Sequence, residues 1–244
     1  MQLAMEIPKA ALETLSPLCE LDFALAHEVL QDAEYAAFYA HRPGRYVILD
    51  NGFHELGKPL GAIELLLAAD KIKPSVVIAP DWLGKPEETM RAFFELQSAN
   101  KGRHRLGFVL CGVTDAQRAS IFTKVAPHVH MLCLPFKEPR FDWFADLVDR
   151  IPVTFKWPAR IHLLGVNEFR ELSAFRDVFL HLGIGEARTS VDTSKPIKFG
   201  LNVKLFTEKL QLRGAGPLKI DYKGFTDKQL SAIHYNIAFL RKFM

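Results

Sequence analysis

Short apolar runs that each stop at a polar, acidic, glycine or cysteine residue recur every few tens of residues, and this rhythm limits the folds open to the chain. Six are plain: Tyr46-Val47-Ile48-Leu49 before Asp50, Val76-Val77-Ile78-Ala79-Pro80 before Asp81, Gly107-Phe108-Val109-Leu110 before Cys111, His130-Met131-Leu132-Cys133-Leu134 before Pro135, Ile161-His162-Leu163-Leu164 before Gly165, and Thr189-Ser190-Val191 before Asp192. Runs of this length, separated by amphipathic stretches, read as buried parallel strands alternating with helices. Chemistry in such sheets gathers at the carboxyl ends of the strands. Asp50, Asp81 and Asp192 are therefore expected on one rim.

At 244 residues the chain is close to the roughly 250 of a (β/α)₈ barrel. The α/β reading is a TIM (β/α)₈ barrel, one domain over residues 1–244, with a basic C-terminal helical segment. Leu21 to His27 reads as the first strand, followed by a helix over 28–40. Further helices are expected over 60–69, 86–98, 115–125, 141–148 and 167–180, with Pro86 suiting a first turn and Thr114 an N-cap. Either Lys198-Phe199-Gly200-Leu201 or Leu218-Lys219-Ile220-Asp221 supplies the eighth strand. Over 227–244, Leu230, Ile233, Ile237 and Leu240 recur at helical spacing, so one face should pack on the body.

No apolar run approaches the roughly 20 residues of a membrane span, and the start lacks a basic segment followed by an apolar one. A soluble cytoplasmic protein is expected. Cys19, Cys111 and Cys133 are odd in number, widely separated and without a CxxC pair, which supports neither a disulfide framework nor a thiolate zinc site. From Lys195 to the C-terminus there are ten Lys or Arg against three Asp or Glu, leaving 21 against 25 for the rest of the chain. A basic segment beside a mildly acidic body fits a polyanionic partner, and equally a solvated lysine-rich helix face.

Asp50 stands in Leu49-Asp50-Asn51-Gly52-Phe53-His54-Glu55, where Gly52 lets the backbone approach a ligand closely, and Asp192 in Ser190-Val191-Asp192-Thr193-Ser194-Lys195-Pro196. Two carboxylates on one rim can carry out substitution at a sugar carbon, one at the oxocarbenium-like centre and one moving protons. Taken singly, each acid serves as well as a turn or N-cap residue. Asp81 can accept two N–H donors from a guanine-like edge, with Trp82 as a stacking face. His27, His54 and His162 also fall near strand ends, but no acidic or cysteine ligand at diagnostic spacing accompanies them, so neither metal nor cofactor is expected.

The segments LDNGFHELG, VIAPDWLG, GFVLCG, IHLLG, SVDTSKP and the tail AIHYNIAFLRKFM together resemble the tRNA-guanine transglycosylase superfamily, most of all its short zinc-less branch from phages and bacterial DNA-modification clusters. The resemblance implies Asp192 as nucleophile at the sugar C1′ and Asp50 as general base. It implies a base pocket from Asn51, Gly52, Phe53, Asp81, Trp82, Cys111, Gly112, Leu164 and Gly165, and it matches His234 and Asn236 to a family His-Asn signature that helix packing explains as well. The implied reaction exchanges guanine in DNA for a 7-deazaguanine such as 7-cyano-7-deazaguanine, in a host cytoplasm if the chain is phage-encoded.

The chain departs from that family where Cys111 replaces a glutamine and where Asp50-Asn51-Gly52-Phe53 replaces Asp-Ser-Gly-Gly, and it lacks the family's cysteine-rich zinc subdomain. The loss of the glutamine amide should weaken or alter recognition of the incoming base, and the missing zinc subdomain makes tRNA a less favoured substrate than DNA. Alternatives are base exchange on tRNA, a degenerate barrel that only binds nucleic acid, and a hydrolase or lyase using Lys156 or Lys195 as a Schiff-base amine. Lys9, Arg42 and Arg45 are a further basic group, for which surface ion pairing is the economical account.

Overall fold

The computed structural model describes residues 1–135, 140–150, 157–166, 168–207 and 224–244. Eight strands, β1 (Gln2–Ala4), β2 (Leu21–Leu25), β3 (Tyr46–Asp50), β4 (Val76–Ile78), β5 (Leu106–Val109), β6 (Met131–Leu134), β7 (Arg160–Leu163) and β8 (Thr189–Asp192), form one sheet in the order β1-β8-β7-β6-β5-β4-β3-β2. Every pairing is parallel, and the register sets Leu25 beside Asp50 and Ala4 beside Asp192. Between β1 and β2 the barrel is drawn together by the Glu20 N–H donating to the Leu3 carbonyl at 3.1 Å and by a bridge between Glu6 and Phe23. This is the (β/α)₈ barrel expected from the sequence.

The helices are α1 (Leu12–Leu15), α2 (Ala26–Gln31), α3 (Ala33–Ala40), α4 (Phe53–Leu56), α5 (Ala62–Ile72), α6 (Pro86–Asn100), α7 (Asp115–Val125), α8 (Arg140–Arg150), α9 (Phe169–His181), α10 (Lys195–Leu201) and α11 (Asp227–Arg241). The stretch read as one helix over 28–40 is two, because Asp32 accepts the N–H groups of Glu34 and Tyr35 and caps a fresh start. The strand count also shifts by one. Gln2–Ala4 is the first strand, so Thr189–Asp192 is the eighth, and Lys198–Leu201 belongs to α10, where Pro196 suits the first turn. The other candidate, 218–221, lies outside the described residues.

Period-two alternation sorts each strand into two faces. Ala4, Phe23, Ile48, Ile78, Val109 and Cys133 pack inside the barrel, whereas Leu3, Leu49, Val77, Phe108, Leu132 and Val191 join the larger layer beneath the helices. The inward parity carries on to Glu6 two residues after Ala4, to Asp50 two after Ile48, and to His162 and Leu164 on β7 and beyond. On β8 it selects Ser190 and Asp192, since Val191 faces the helices. Polar residues at the carboxyl ends of β1, β3, β7 and β8 are thus delivered to one mouth.

Outside the barrel, Asp22 is 3% exposed and takes Arg42 Nε at 3.1 Å, Arg45 Nη2 at 2.9 Å and the Ser16 hydroxyl at 2.8 Å. Lys9 pairs with Asp32 at 2.6 Å and Glu34 at 2.7 Å. This basic group is engaged in ion pairs. α11 lies against α10, where a Cβ on Gly200 would meet Ile233 Cγ1 at 2.3 Å. Asn236, fully buried, accepts the Phe206 N–H at 2.7 Å and donates to the Lys204 carbonyl at 3.0 Å, while His234 is exposed. Among the described residues no helix is long and apolar enough to cross a membrane.

Candidate active site

Asp192 ends β8 and is held on two sides. The Gly165 N–H donates to its Oδ1 at 3.0 Å, and His162 Nε2 lies 3.1 Å from the same oxygen. His162 is fully buried, its Nδ1 lies 2.9 Å from Ser190 Oγ, and its ring stacks on Phe23 at 6.1 Å. A side chain gripped at both ring nitrogens has little freedom, so Asp192 is presented in one orientation. Gly165 makes its contact from a left-handed φ of +67°, a conformation that favours glycine.

Asp50 ends β3, and its Oδ2 accepts the Gly52 N–H at 2.9 Å. Gly52 is constrained twice: its φ is +76°, and a Cβ there would stand 2.8 Å from His27 Nδ1. Solvent reaches Asp50 only in part. Burial among protein atoms, reinforced by Glu55, pushes its carboxyl well above the usual carboxylate range against the pull of the Gly52 N–H, and Asp81 and Asp192 add to the rise. That Asp192 and Asp81 both act on Asp50 is the electrostatic mark of a shared rim.

Asn51 is 1% exposed, and its amide donates to Asp81 Oδ1 at 2.8 Å and to the Ala79 carbonyl at 2.9 Å, while its Oδ1 accepts the Phe53 N–H at 2.9 Å. It ties β3 to the loop after β4. Burial raises Asp81 to about 6, opposed by the Asn51 amide. Trp82 donates its backbone N–H to Thr89 Oγ1 at 2.9 Å. Phe53 opens α4 and is half-buried, as is Leu164, which packs against the barrel interior. Cys111 is buried after β5, and a Cβ on Gly112 would meet Arg118 Cγ at 2.6 Å, so Gly112 serves the packing of α7.

Three charged groups join this mouth that the sequence reading did not select. Glu6, two residues past β1, is raised to about 7 by burial, with Lys198 pulling down and Asp192 and Asp50 pushing up. Glu55 on α4 is raised to about 7 by burial and by Glu6, and its buried Oε2 has no hydrogen-bond partner among the described residues. Lys198 is lowered by burial while Glu6 and Glu55 resist. Lys195 is lowered to about 8 by burial and by Lys198. Glu6 was legible by the same strand-then-acid pattern, but its strand is only three residues long.

His27 is 7% exposed and stands at Gly52, whereas His162 is committed to Ser190 and Asp192. Among the described residues no three His, Cys, Asp or Glu side chains converge as a metal site would require. Lys156 lies outside the described residues.

No family model and no curated protein matches the sequence. Solved structures do match. KGPDC from Streptococcus mutans, in a ligand-bound crystal structure, superposes with a TM-score of 0.51 at 9% identity, covering 99% of this chain and 98% of that one. A second structure of KGPDC from the same organism gives 0.50 at 9% identity over the same shares. The likeness shows a shared fold.

The resemblance to tRNA-guanine transglycosylases is overturned by these comparisons: no family model matches, and the two solved barrels just named are KGPDC. With it fall the glycosyltransferase class, base exchange on DNA or tRNA, and the phage DNA-modification setting. The physical reason lies in the motifs themselves. An acid or glycine directly after a parallel strand is what barrel geometry asks of any rim, so an ordered series of such endings reports the architecture before it reports a family.

Proposed function

We propose that this barrel is an acid–base enzyme acting through an enediol on a small, polyhydroxylated, phosphorylated substrate of sugar-phosphate type. The observation that carries the reading is Asp50, a carboxyl pushed toward its protonated form, on the same mouth as Asp192, a carboxylate oriented by His162 and the Gly165 N–H. An acid able to donate beside a carboxylate able to accept is the equipment for moving a proton next to a carbonyl. In that step Asp192 takes the proton from carbon, its electron pair forms the C=C bond of the enediol, and Asp50 protonates the carbonyl oxygen. Loss of CO₂ in place of the proton leads to the same enediol.

Substrate class follows from charge. Glu6, Glu55 and Asp81 offer acceptors to hydroxyl groups, and Lys195 and Lys198 stand in the short helix directly after β8. The loops after strands 7 and 8, with a short extra helix, are a frequent phosphate position in this fold. KGPDC (3-keto-L-gulonate-6-phosphate decarboxylase), which acts on a sugar phosphate, shares the fold.

The test is exchange in D₂O. With a panel of aldose and ketose 5- and 6-phosphates, NMR should record loss of one C–H signal or release of CO₂, and Asp50→Asn and Asp192→Asn should each slow it about 10²–10⁴-fold. Absence of turnover with every sugar phosphate, or full turnover in Asp50→Asn, ends the reading. A second chemistry is favoured by Lys195, whose amine burial lowers to about 8. Imine formation there with a carbonyl substrate would be trapped by borohydride as an adduct that Lys195→Arg abolishes.

A further inference from the structure

At the opposite, amino-terminal end of the barrel a second polar assembly surrounds a pocket of about 490 Å³. Tyr46 begins β3, Ser75 precedes β4 and Arg105 precedes β5, so three neighbouring strands supply its floor, and Asp70, Lys73 and Arg103 complete the wall. Asp50 lies four residues further along β3, which at about 3.3 Å per residue puts the candidate active site roughly 13 Å away. The two places are separate.

Among the described residues that line it, the charges do not balance. Asp70 accepts from Arg103 Nη1 at 2.8 Å and Lys73 Nζ at 3.2 Å, and lies 3.0 Å from His104 Nε2, so its capacity is shared among several partners. Arg105 makes no side-chain hydrogen bond or ion pair among the described residues. The lining thus holds one carboxylate against Lys73, Arg103 and Arg105, and Lys73 (71% side-chain exposure) and Arg103 (49%) keep the mouth open to solvent.

Unsatisfied donors point the same way. Among the described residues the buried Tyr46 hydroxyl has no hydrogen-bond partner, an unfavourable state when nothing fills it. Arg160, which lies outside this lining, covers the Tyr46 ring at 4.2 Å and spends its Nη2 on Gln2 Oε1, so it does not satisfy that hydroxyl. Ser75 Oγ accepts the Val47 N–H at 3.1 Å, which leaves its own O–H to donate. A pocket lined by donors and an excess of cations calls for an acceptor-rich anion. Its volume falls in the range of small-molecule sites, about 300–1,000 Å³, and exceeds the needs of a single phosphate.

We propose that this pocket binds the polyphosphate group of a small molecule, with Arg105 and Tyr46 as its principal donors. Titration calorimetry of the full chain with sodium pyrophosphate, ADP and orthophosphate tests it. Pyrophosphate and ADP should bind at one saturable site, weakening as salt rises, with orthophosphate at least about tenfold weaker. Equal affinities for the first two assign a bare polyphosphate; tighter ADP binding assigns a nucleoside to the remaining volume.

Arg105→Ala should weaken binding about tenfold or more. Tyr46→Phe should weaken it severalfold while leaving the unliganded protein as stable as before or more so, since the hydroxyl it removes has no partner among the described residues. Asp50→Asn should bind as the parent does. Failure of all three probes to bind, unchanged affinity in both Arg105→Ala and Tyr46→Phe, or loss of binding in Asp50→Asn overturns the proposal.

Discussion

Gly165 hands its backbone N–H to Asp192 Oδ1 at 3.0 Å, so the loop after β7 is fastened to the acid at the end of β8. His162 fixes the same oxygen from within the barrel. His162→Ala should therefore lower kcat about 10–100-fold with little change in KM, because Asp192 stays present but loses its aim. It should also cost about 1–3 kcal/mol of stability, since Ser190 Oγ loses a buried partner. Steady-state kinetics on the sugar phosphate that turns over, with urea unfolding of the same variant, checks both halves.

Gly52→Ala meets two obstacles at once, a φ of +76° and a Cβ 2.8 Å from His27 Nδ1. The cost should be about 1–3 kcal/mol, read from the midpoint of a denaturant curve. His27→Ala in the same chain should return part of that loss, because the steric component disappears while the backbone strain persists.

Stability should fall as pH rises from about 4.5 to about 7. Burial is the main cause that raises Glu6 and Glu55 from 4.5 to about 7, so across this window the folded chain holds protons that the unfolded chain has released. The sign follows directly: the stabilising contribution is complete below the unfolded value and is lost on passing through the folded one. Each pH unit in the window costs at most about 1.4 kcal/mol per group, and less for groups that share a site. Glu6→Gln should flatten the dependence of the melting temperature on pH, and a slope that persists unchanged would remove Glu6 as its source.

Asp22 works in the opposite sense. Burial alone would raise it, but hydrogen bonds from Arg45, Arg42 and Ser16 outweigh that and hold it below its ordinary value. Its contribution is present above the unfolded value near 3.8 and is lost as pH falls further. Asp22→Asn should destabilise by about 3 kcal/mol, because it leaves Arg42 and Arg45 facing each other without a counter-charge. Thermal unfolding at neutral pH measures this, and Asp22→Asn should leave turnover at the other end of the barrel unchanged.

The barrel was legible because its strands obey one local rule, an apolar run and then a polar stop, and Asp50, Asp81 and Asp192 were found by that rule. Glu6 escaped because Gln2–Ala4 offers too few residues to show alternation, and that omission displaced the eighth strand onto one of two later segments, Lys198–Leu201 or Leu218–Asp221. Glu55 and Lys198 escaped for a different reason. They reach the mouth from helices that follow strands, where no periodicity separates a rim-facing charge from a solvated one. The family reading failed because strand-end acids belong to the architecture, and His162 was weighed as a metal ligand when its two ring nitrogens serve Asp192 and Ser190.

The seam between β1 and β2 has a consequence for motion. Seven strand pairs are stitched by ladders, while among the described residues this eighth joint rests on two Glu20–Leu3 hydrogen bonds, one of them from the Leu3 N–H to the Glu20 carboxylate, at one end and the Glu6–Phe23 bridge at the other. Its upper rung is formed by a residue whose side chain takes up and gives off a proton near neutrality. The most thinly joined suture of the cylinder therefore sits at the candidate catalytic opening, and in amide exchange the backbone flanking Glu6 should breathe before any other staves of the barrel part.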